Sequence, residues 1–142
     1  MRRNDLDFRL TEHFTLREFM VSSSYPHAFD SIEPDPEGVL KLYWLSLFAL
    51  EPIREHYGRV VIHSGFRTSK LNSDLGGSPT SQHLYYEAAD IICPGKSMEL
   101  VYDFVVEELK WKGEAFYYAK KGHLHIALPN YSIVMNHGIK EA

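Results

Sequence analysis

The sequence predicts an α+β fold in which helices flank a small, mainly antiparallel sheet. Helical and strand-like segments alternate irregularly, without the regular strand-helix-strand order of a parallel sheet. Near the C-terminus the strand-like segments "EAFYYA" and "HLHIAL" are joined by the short basic turn "KKG", as expected for a hairpin. The 142 residues fall within the usual size of one domain, so we expect a single domain over residues 1–142.

The first half of the chain predicts two helices. Thr15 and Glu18 have the spacing of a capping box, which starts a short helix. Asp35 can cap a long helix that ends at Gly58, and Pro52 should kink or restart that helix. Its apolar spacing predicts a core-facing stripe, which is made of Val39, Leu40, Tyr43, Leu47 and Leu50 and is widened by Trp44 and Phe48.

The second half predicts strands separated by helices. "RVVIHS" and "AADIIC" are rich in apolar and β-branched residues and predict strands, while "TSKLNSDLGG" predicts a short helix closed by glycines. Ser97 can cap the amphipathic helix "MELVYDFVVEELKWKG". Its expected core side chains are Leu100, Val101, Phe104, Val105 and Leu109.

Composition narrows the possible functions. A formal net charge of -4 provides no basic surface for a nucleic acid partner. The sequence contains no apolar run of signal-peptide or membrane-span length, so we expect synthesis in the cytoplasm without a signal peptide and no membrane insertion. Cys93 is the sole cysteine and is expected to be a buried small hydrophobe, so histidine and carboxylate must hold any metal.

Polar residues in two separate segments predict a metal site. Side chains alternate along a strand, so "HLHIAL" places His123 and His125 on one face and its larger apolar residues on the other. His83 lies in the polar segment "SQHLYYEAAD", and Asp90 follows it at the start of an apolar strand. Two imidazoles and one carboxylate form a catalytic zinc set with a fourth position open for water. The alternative is that His83 caps a turn and Asp90 accepts backbone hydrogen bonds.

These residues carry a family resemblance. The pattern "SGFR...LN...GG...TSQH...EAAD" followed by "HLHIA" resembles the zinc D-Ala-D-Ala carboxypeptidase family, which includes phage and bacterial peptidoglycan endopeptidases and has a hedgehog-like α+β fold. "FTLREF" and "LEPIREHYG" resemble its compact phage and prophage members. The resemblance implies that His83, Asp90 and His125 bind zinc, that Arg67 holds a substrate carboxylate, and that Ser81 belongs to the substrate site.

The sequence departs from the family pattern at two positions. Tyr86 stands where the family often has glycine, and Gly122 stands where several members have an acidic general base, three residues before the last zinc-binding histidine. We hypothesise that His123 takes the proton or stabilises the tetrahedral oxyanion instead. Glu87 and Glu114 are less favoured substitutes.

The resemblance implies a zinc metallopeptidase that cleaves stem or cross-bridge peptides of peptidoglycan, as a lysin-like carboxypeptidase or endopeptidase. We expect it to be a monomer that acts on the cell wall, after phage-mediated release. The alternative is a weakly active or inactive zinc-binding relative that acts as a cell-wall peptide-binding or phage structural module. The remaining histidines are expected to be surface or satisfied core residues, namely His13, His27, His56, His63 and His137.

Overall fold

The computed structural model describes residues 6–130 and 137–141, which include one five-stranded sheet. Its strands are β1 (Val61–Ser64), β2 (Ala88–Ile92), β3 (Ala115–Tyr118), β4 (His123–Ala127) and β5 (His137–Lys140). The strand order is β1-β2-β4-β3-β5, and all neighbours are antiparallel except β3 and β5. The predicted α+β fold and its β3–β4 hairpin are therefore confirmed.

Short helices surround this sheet. The α-helices are α1 (Pro36–Leu45), α2 (Glu51–Tyr57), α3 (Ser69–Asp74) and α4 (Met98–Asp103). A π-helical segment, Ser46–Leu50, joins α1 to α2, and another, Phe104–Glu108, extends α4; two 3-10 helices cover Leu16–Phe19 and Gln82–Tyr85. Within the described residues, no helix is both long and apolar enough to cross a bilayer.

The long helix adapts to the proline that the sequence analysis singled out. Pro52 has no N–H group, and the backbone N–H of the preceding Glu51 bonds to the carbonyl of Ser46, five residues earlier. The α-helical pattern then resumes at Glu51. The prediction that the helix restarts near this proline is confirmed.

The predicted core stripe of the long helix is confirmed only in part, because Val39 and Leu50 are buried and Tyr43 is partly buried against the core. Leu40, Trp44, Leu47 and Phe48 are exposed, and Phe48 retains 57% of its accessible surface. The buried side of the helix also includes residues outside the predicted stripe, namely Leu42, Leu45, Ser46, Ala49 and Ile53. Between Val39 and Leu50 nearly every residue is apolar, so periodicity alone could not identify which face of the helix packs into the core.

The two faces of the sheet have different roles. Leu124 and Ile126 of β4 are fully buried in one apolar cluster with helical residues such as Val101 and Val105. In the predicted stripe of the α4 segment, however, Leu100 is exposed. Cys93 is buried as expected, and burial raises the pKa of its thiol to about 11, which makes it a poor nucleophile. The opposite face of β2, β3 and β4 carries the polar residues considered next.

Candidate metal centre

His83, Asp90 and His125 converge on the polar face of the sheet, and all are buried. The antiparallel pairing of β2 and β4 places Asp90 directly opposite His125. Asp90 Oδ1 lies 3.2 Å from His83 Nε2 and 3.0 Å from His125 Nδ1. Each residue offers one ligand atom, and these atoms all lie within 4.8 Å of one another. The structure thus brings together the trio that the sequence predicted.

Local hydrogen bonds fix the position of His83. Ser81 caps the 3-10 helix Gln82–Tyr85, where its Oγ accepts the His83 backbone N–H at 3.1 Å. The His83 carbonyl accepts the N–H of Arg67. His83 Nδ1 lies 2.7 Å from the carbonyl oxygen of Gly65. A carbonyl can only accept a hydrogen bond, so Nδ1 carries the proton and Nε2 keeps its lone pair for a ligand.

The second imidazole lies between two carboxylates. His125 Nδ1 faces Asp90, and its Nε2 lies 2.9 Å from Glu114 Oε1. Burial alone would lower the pKa of His125, but the hydrogen bonds to Asp90 and Glu114 raise it to about 9. Burial alone would raise the pKa of Asp90, but the nearby His83 and hydrogen bonds from both imidazoles lower it well below its usual range. The centre therefore favours an ionised Asp90.

The donor set suits zinc. Two imidazole nitrogens and a carboxylate oxygen face one another in a buried pocket, and the outer nitrogen of each imidazole already has a hydrogen-bond partner. Such outer partners hold a histidine in the tautomer and orientation that ligation requires. His83, Asp90 and His125 can therefore hold a divalent cation, and the mixed set favours Zn²⁺.

Arg67 donates a hydrogen bond to the same centre. Its Nη2 donates to Asp90 Oδ2 at 3.3 Å, its Nε to Ser64 Oγ at 2.9 Å, and its Nη1 to Asn72 Oδ1 at 3.2 Å. A guanidinium has five N–H groups, so these bonds leave donors for a further acceptor. Burial lowers the pKa of Arg67, although the Asp90 carboxylate opposes this effect.

His123 borders the trio. Its Nε2 lies 3.9 Å from Asp90 Oδ2, and its ring packs 5.3 Å from that of Tyr118. Burial lowers the pKa of His123, although Asp90 opposes this effect. The imidazole is therefore a potential proton acceptor beside the ion site.

A cleft of about 790 Å³ opens over these residues. Arg67, Ser81 and His123 all line it, so the structure brings every predicted site residue to one place. The lining also includes His63, Phe116, Tyr118 and Lys121, which the sequence analysis did not assign to the site, and Glu114, which it considered only as a less favoured general base. Strand alternation could have found part of this set, because Glu114, Phe116 and Tyr118 share one face of "EAFYYA", and β3 pairs with the strand carrying His123 and His125.

A comparison with protein-family models matches residues 12–127 to Peptidase M15. The chain belongs to the peptidase M15 family. M15 peptidases are zinc-dependent, in agreement with the donor set of the centre. A search among curated proteins found no match.

One departure from the M15 pattern has a backbone explanation. Gly122 closes the turn between β3 and β4 with a φ of +72°, a left-handed conformation that an acidic side chain would adopt only with strain. Glu87 is not a ready substitute, since its carboxylate pairs with Lys41 at 2.9 Å and accepts a bond from Gln82 at 3.1 Å.

The other departure is compensated by packing. The backbone of Tyr86 is left-handed, with a φ of 61°, a conformation that glycine adopts more readily than tyrosine. Its ring stacks on Phe66 with centroids 3.8 Å apart, and its hydroxyl accepts the Asp35 N–H at 3.2 Å. The ring also lies against Gly38 of α1. The loop between the ligands thus accommodates a large side chain by tying it to α1.

Proposed function

We propose that this M15 chain is a zinc metallopeptidase that hydrolyses stem or cross-bridge peptides of peptidoglycan, as a D,D-carboxypeptidase or an endopeptidase. The observation that carries the proposal is the convergence of His83, Asp90 and His125 beneath an open cleft. These residues would hold the ion. Zinc at such a site acts as a Lewis acid, which lowers the pKa of water and polarises the scissile carbonyl.

The surrounding side chains have separate tasks in this proposal. His123 accepts the proton of the attacking water or donates to the developing oxyanion, since its imidazole lines the cleft beside Asp90. Arg67 binds a carboxylate of the stem peptide through the N–H groups that its internal bonds leave over. Ser81 accepts the His83 N–H, and its own hydroxyl hydrogen can donate to a substrate carbonyl.

The substrate class is supported by the cleft and by the resemblance. Hydroxyl groups of Ser78, Thr80 and Ser81 line the cleft and can bond to a peptide backbone, and Arg67 can neutralise a terminal carboxylate. Peptidoglycan stems supply both features. By the same resemblance, we propose a phage or prophage-type enzyme that acts on the cell wall as a monomer.

The test is digestion of purified peptidoglycan by the parent protein and by His83→Ala, followed by mass spectrometry of the stem-peptide fragments. We expect new fragments from the parent alone, and their masses identify the bond that is cleaved. Identical fragment patterns from both proteins would refute the metallopeptidase proposal.

Gly122 favours one alternative, a relative that binds zinc without hydrolysing peptides. Its position lacks the carboxylate that several relatives use as a general base. A module of this kind would bind zinc and cell-wall peptides but release neither new amino termini nor free D-Ala from peptidoglycan. Release of either product by the parent, and not by His83→Ala, rejects this alternative.

A further inference from the structure

Glu114 lies beside the metal centre without belonging to the ligand trio. It immediately precedes β3, where Phe116 pairs with His125, so strand alternation places Glu114 and Phe116 on the face that carries His125. Glu114 Oε1 lies 2.9 Å from His125 Nε2, and the side chains retain only 21% and 11% of their accessible surface. This is a short, largely buried carboxylate–imidazole contact.

The contact determines which nitrogen of His125 can bind an ion. The Glu114 carboxylate accepts a hydrogen bond from Nε2 and lies outside the ligand trio, so Nε2 keeps its proton when an ion displaces the proton of the opposite nitrogen. The opposite nitrogen, Nδ1, faces Asp90 at 3.0 Å. His83 is arranged in the reverse sense, with Nδ1 bonded to the Gly65 carbonyl and Nε2 facing Asp90.

We propose that Glu114 is a positioning residue that fixes His125 in the tautomer presenting Nδ1 to the ion and thereby strengthens zinc binding. This inference rests on the zinc site of the proposed function and assigns Glu114 a role other than general base. Glu114 Oε1 contacts Nε2 of His125, whereas Nδ1 of the same ring faces Asp90. Glu114 can therefore hold the ring in place without occupying the side on which the ion would bind. Outer-shell carboxylates of this kind orient ligating histidines in zinc proteins.

The experiment measures the dissociation constant for zinc by competition with a chromogenic chelator. It compares the parent with Glu114→Ala, Glu114→Gln and Glu51→Gln. We expect Glu114→Ala to bind zinc about 10–100-fold more weakly. Glu114→Gln should lose less, because an amide oxygen can still accept the His125 N–H.

Glu51→Gln is the matched control. Glu51 also forms a carboxylate–histidine pair, with its Oε1 2.7 Å from His13 Nδ1, and its side chain is similarly buried at 18% exposure. It lies outside the set of residues that line the cleft. We expect Glu51→Gln to bind zinc with the affinity of the parent. This result would show that weaker zinc binding follows from loss of the Glu114–His125 contact and not from loss of any carboxylate–histidine pair.

Nitrogen-15 NMR of the zinc-loaded parent provides a second reading that requires no variant to fold. We expect zinc on Nδ1 of His125 and a proton on its Nε2. Coordination through Nε2, or unchanged affinity in a folded Glu114→Ala, would overturn the inference. If the parent binds no zinc, both this inference and the proposed function fail. If the parent binds zinc through Nδ1 of His125 and Glu114→Ala weakens that binding, but the parent cleaves no peptidoglycan, only the proposed catalysis fails.

Discussion

At the scale of single residues, the centre depends on imidazoles whose two nitrogens have different partners. His83 and His125 each direct one nitrogen at Asp90 and the other at a fixed acceptor, the Gly65 carbonyl or Glu114. His123 is different, because its nearest Asp90 oxygen is 3.9 Å away. This difference separates the proposed ligands from the proposed proton acceptor.

The proposed role of His123 predicts a selective loss of activity. In His123→Ala, we expect kcat for peptidoglycan peptides to fall by about 100-fold or more, the usual contribution of a general acid or base. Zinc content should stay at the parental level because the proposed ligands are unchanged. Steady-state kinetics with metal analysis measures both quantities, and the exposed His27, which pairs with Asp30, offers His27→Ala as the control. Parental kcat in His123→Ala would rule out the assignment.

At the scale of elements, the loop between the first two proposed ligands is secured to α1 by an aromatic ring. Tyr86 packs between Phe66 and Gly38, and its hydroxyl reaches the backbone N–H of Asp35, the residue that caps α1. A side chain at position 38 would overlap this ring. The left-handed tyrosine and the helical glycine therefore form one packing unit.

This packing unit reverses the usual effect of a glycine-to-alanine change. Alanine normally stabilises a helix by up to about 1 kcal/mol, but a Cβ on Gly38 would lie closer than 3.0 Å to ring carbons of Tyr86. We therefore expect Gly38→Ala to lower the free energy of unfolding by about 1–3 kcal/mol, the typical cost of overpacking.

Urea denaturation of Gly38→Ala and of a matched Gly138→Ala would measure the effect. An added Cβ at Gly138 meets Phe116 at an ordinary distance of 3.6 Å. Gly138→Ala should therefore change the free energy of unfolding little. A Gly38→Ala protein more stable than the parent would contradict the packing account.

At the scale of the whole molecule, the metal centre joins two segments of the chain, since His125 comes 35 residues after Asp90 whereas His83 precedes Asp90 by 7. His83 comes from a 3-10 helix, while Asp90 and His125 come from β2 and β4. An ion that binds all three would bind the folded chain far better than the unfolded one. Metal binding should therefore stabilise the fold by mass action.

We expect free zinc at one hundred times its dissociation constant to raise the free energy of unfolding by about 2.7 kcal/mol. Removal of the ion with a chelator should reverse this gain. Urea denaturation with and without zinc measures the difference, and His83→Ala should show a much smaller response. An equal zinc response in both proteins would place the stabilising ion elsewhere.

Glu51 links the N-terminal segment to α2. Its Oε2 accepts the Thr11 hydroxyl at 2.6 Å and the His13 N–H at 2.8 Å. Burial alone would raise the pKa of Glu51, but the hydrogen bonds from Thr11 and His13 outweigh burial and lower it. The ionised Glu51 carboxylate therefore stabilises the fold fully above the pKa of an unfolded glutamate, about 4.3. This stabilisation is lost as the pH falls through the lower pKa that Glu51 has in the folded state.

We expect Glu51→Gln to be less stable than the parent at pH 7, by about 1–3 kcal/mol for hydrogen bonds to a charged group. The difference should narrow as the pH falls below about 4.3, because the parent then loses its own carboxylate. Urea denaturation of both proteins from pH 7 to pH 3 would measure it. A gap that does not change with pH would show that the Glu51 charge contributes nothing.

Local sequence signals determined much of the fold and the composition of the centre. The Asp35 cap, the restart at Pro52 and the β3–β4 hairpin follow from short-range backbone chemistry and are present as predicted. Polar residues in two separate segments indicated a metal site, and the family resemblance implied that its ligands are His83, Asp90 and His125.

Long-range packing decided what the sequence could not. The long helix is almost entirely apolar from Val39 to Leu50, and only its packing in the folded core determines that Leu42 is buried and Phe48 is exposed. The partner of His125 Nε2 likewise depends on how β3 is aligned with β4, which brings Glu114 beside it. Sequence patterns report on residues that are close along the chain, whereas the burial of the helix and the Glu114–His125 contact depend on residues that only the folded structure brings together.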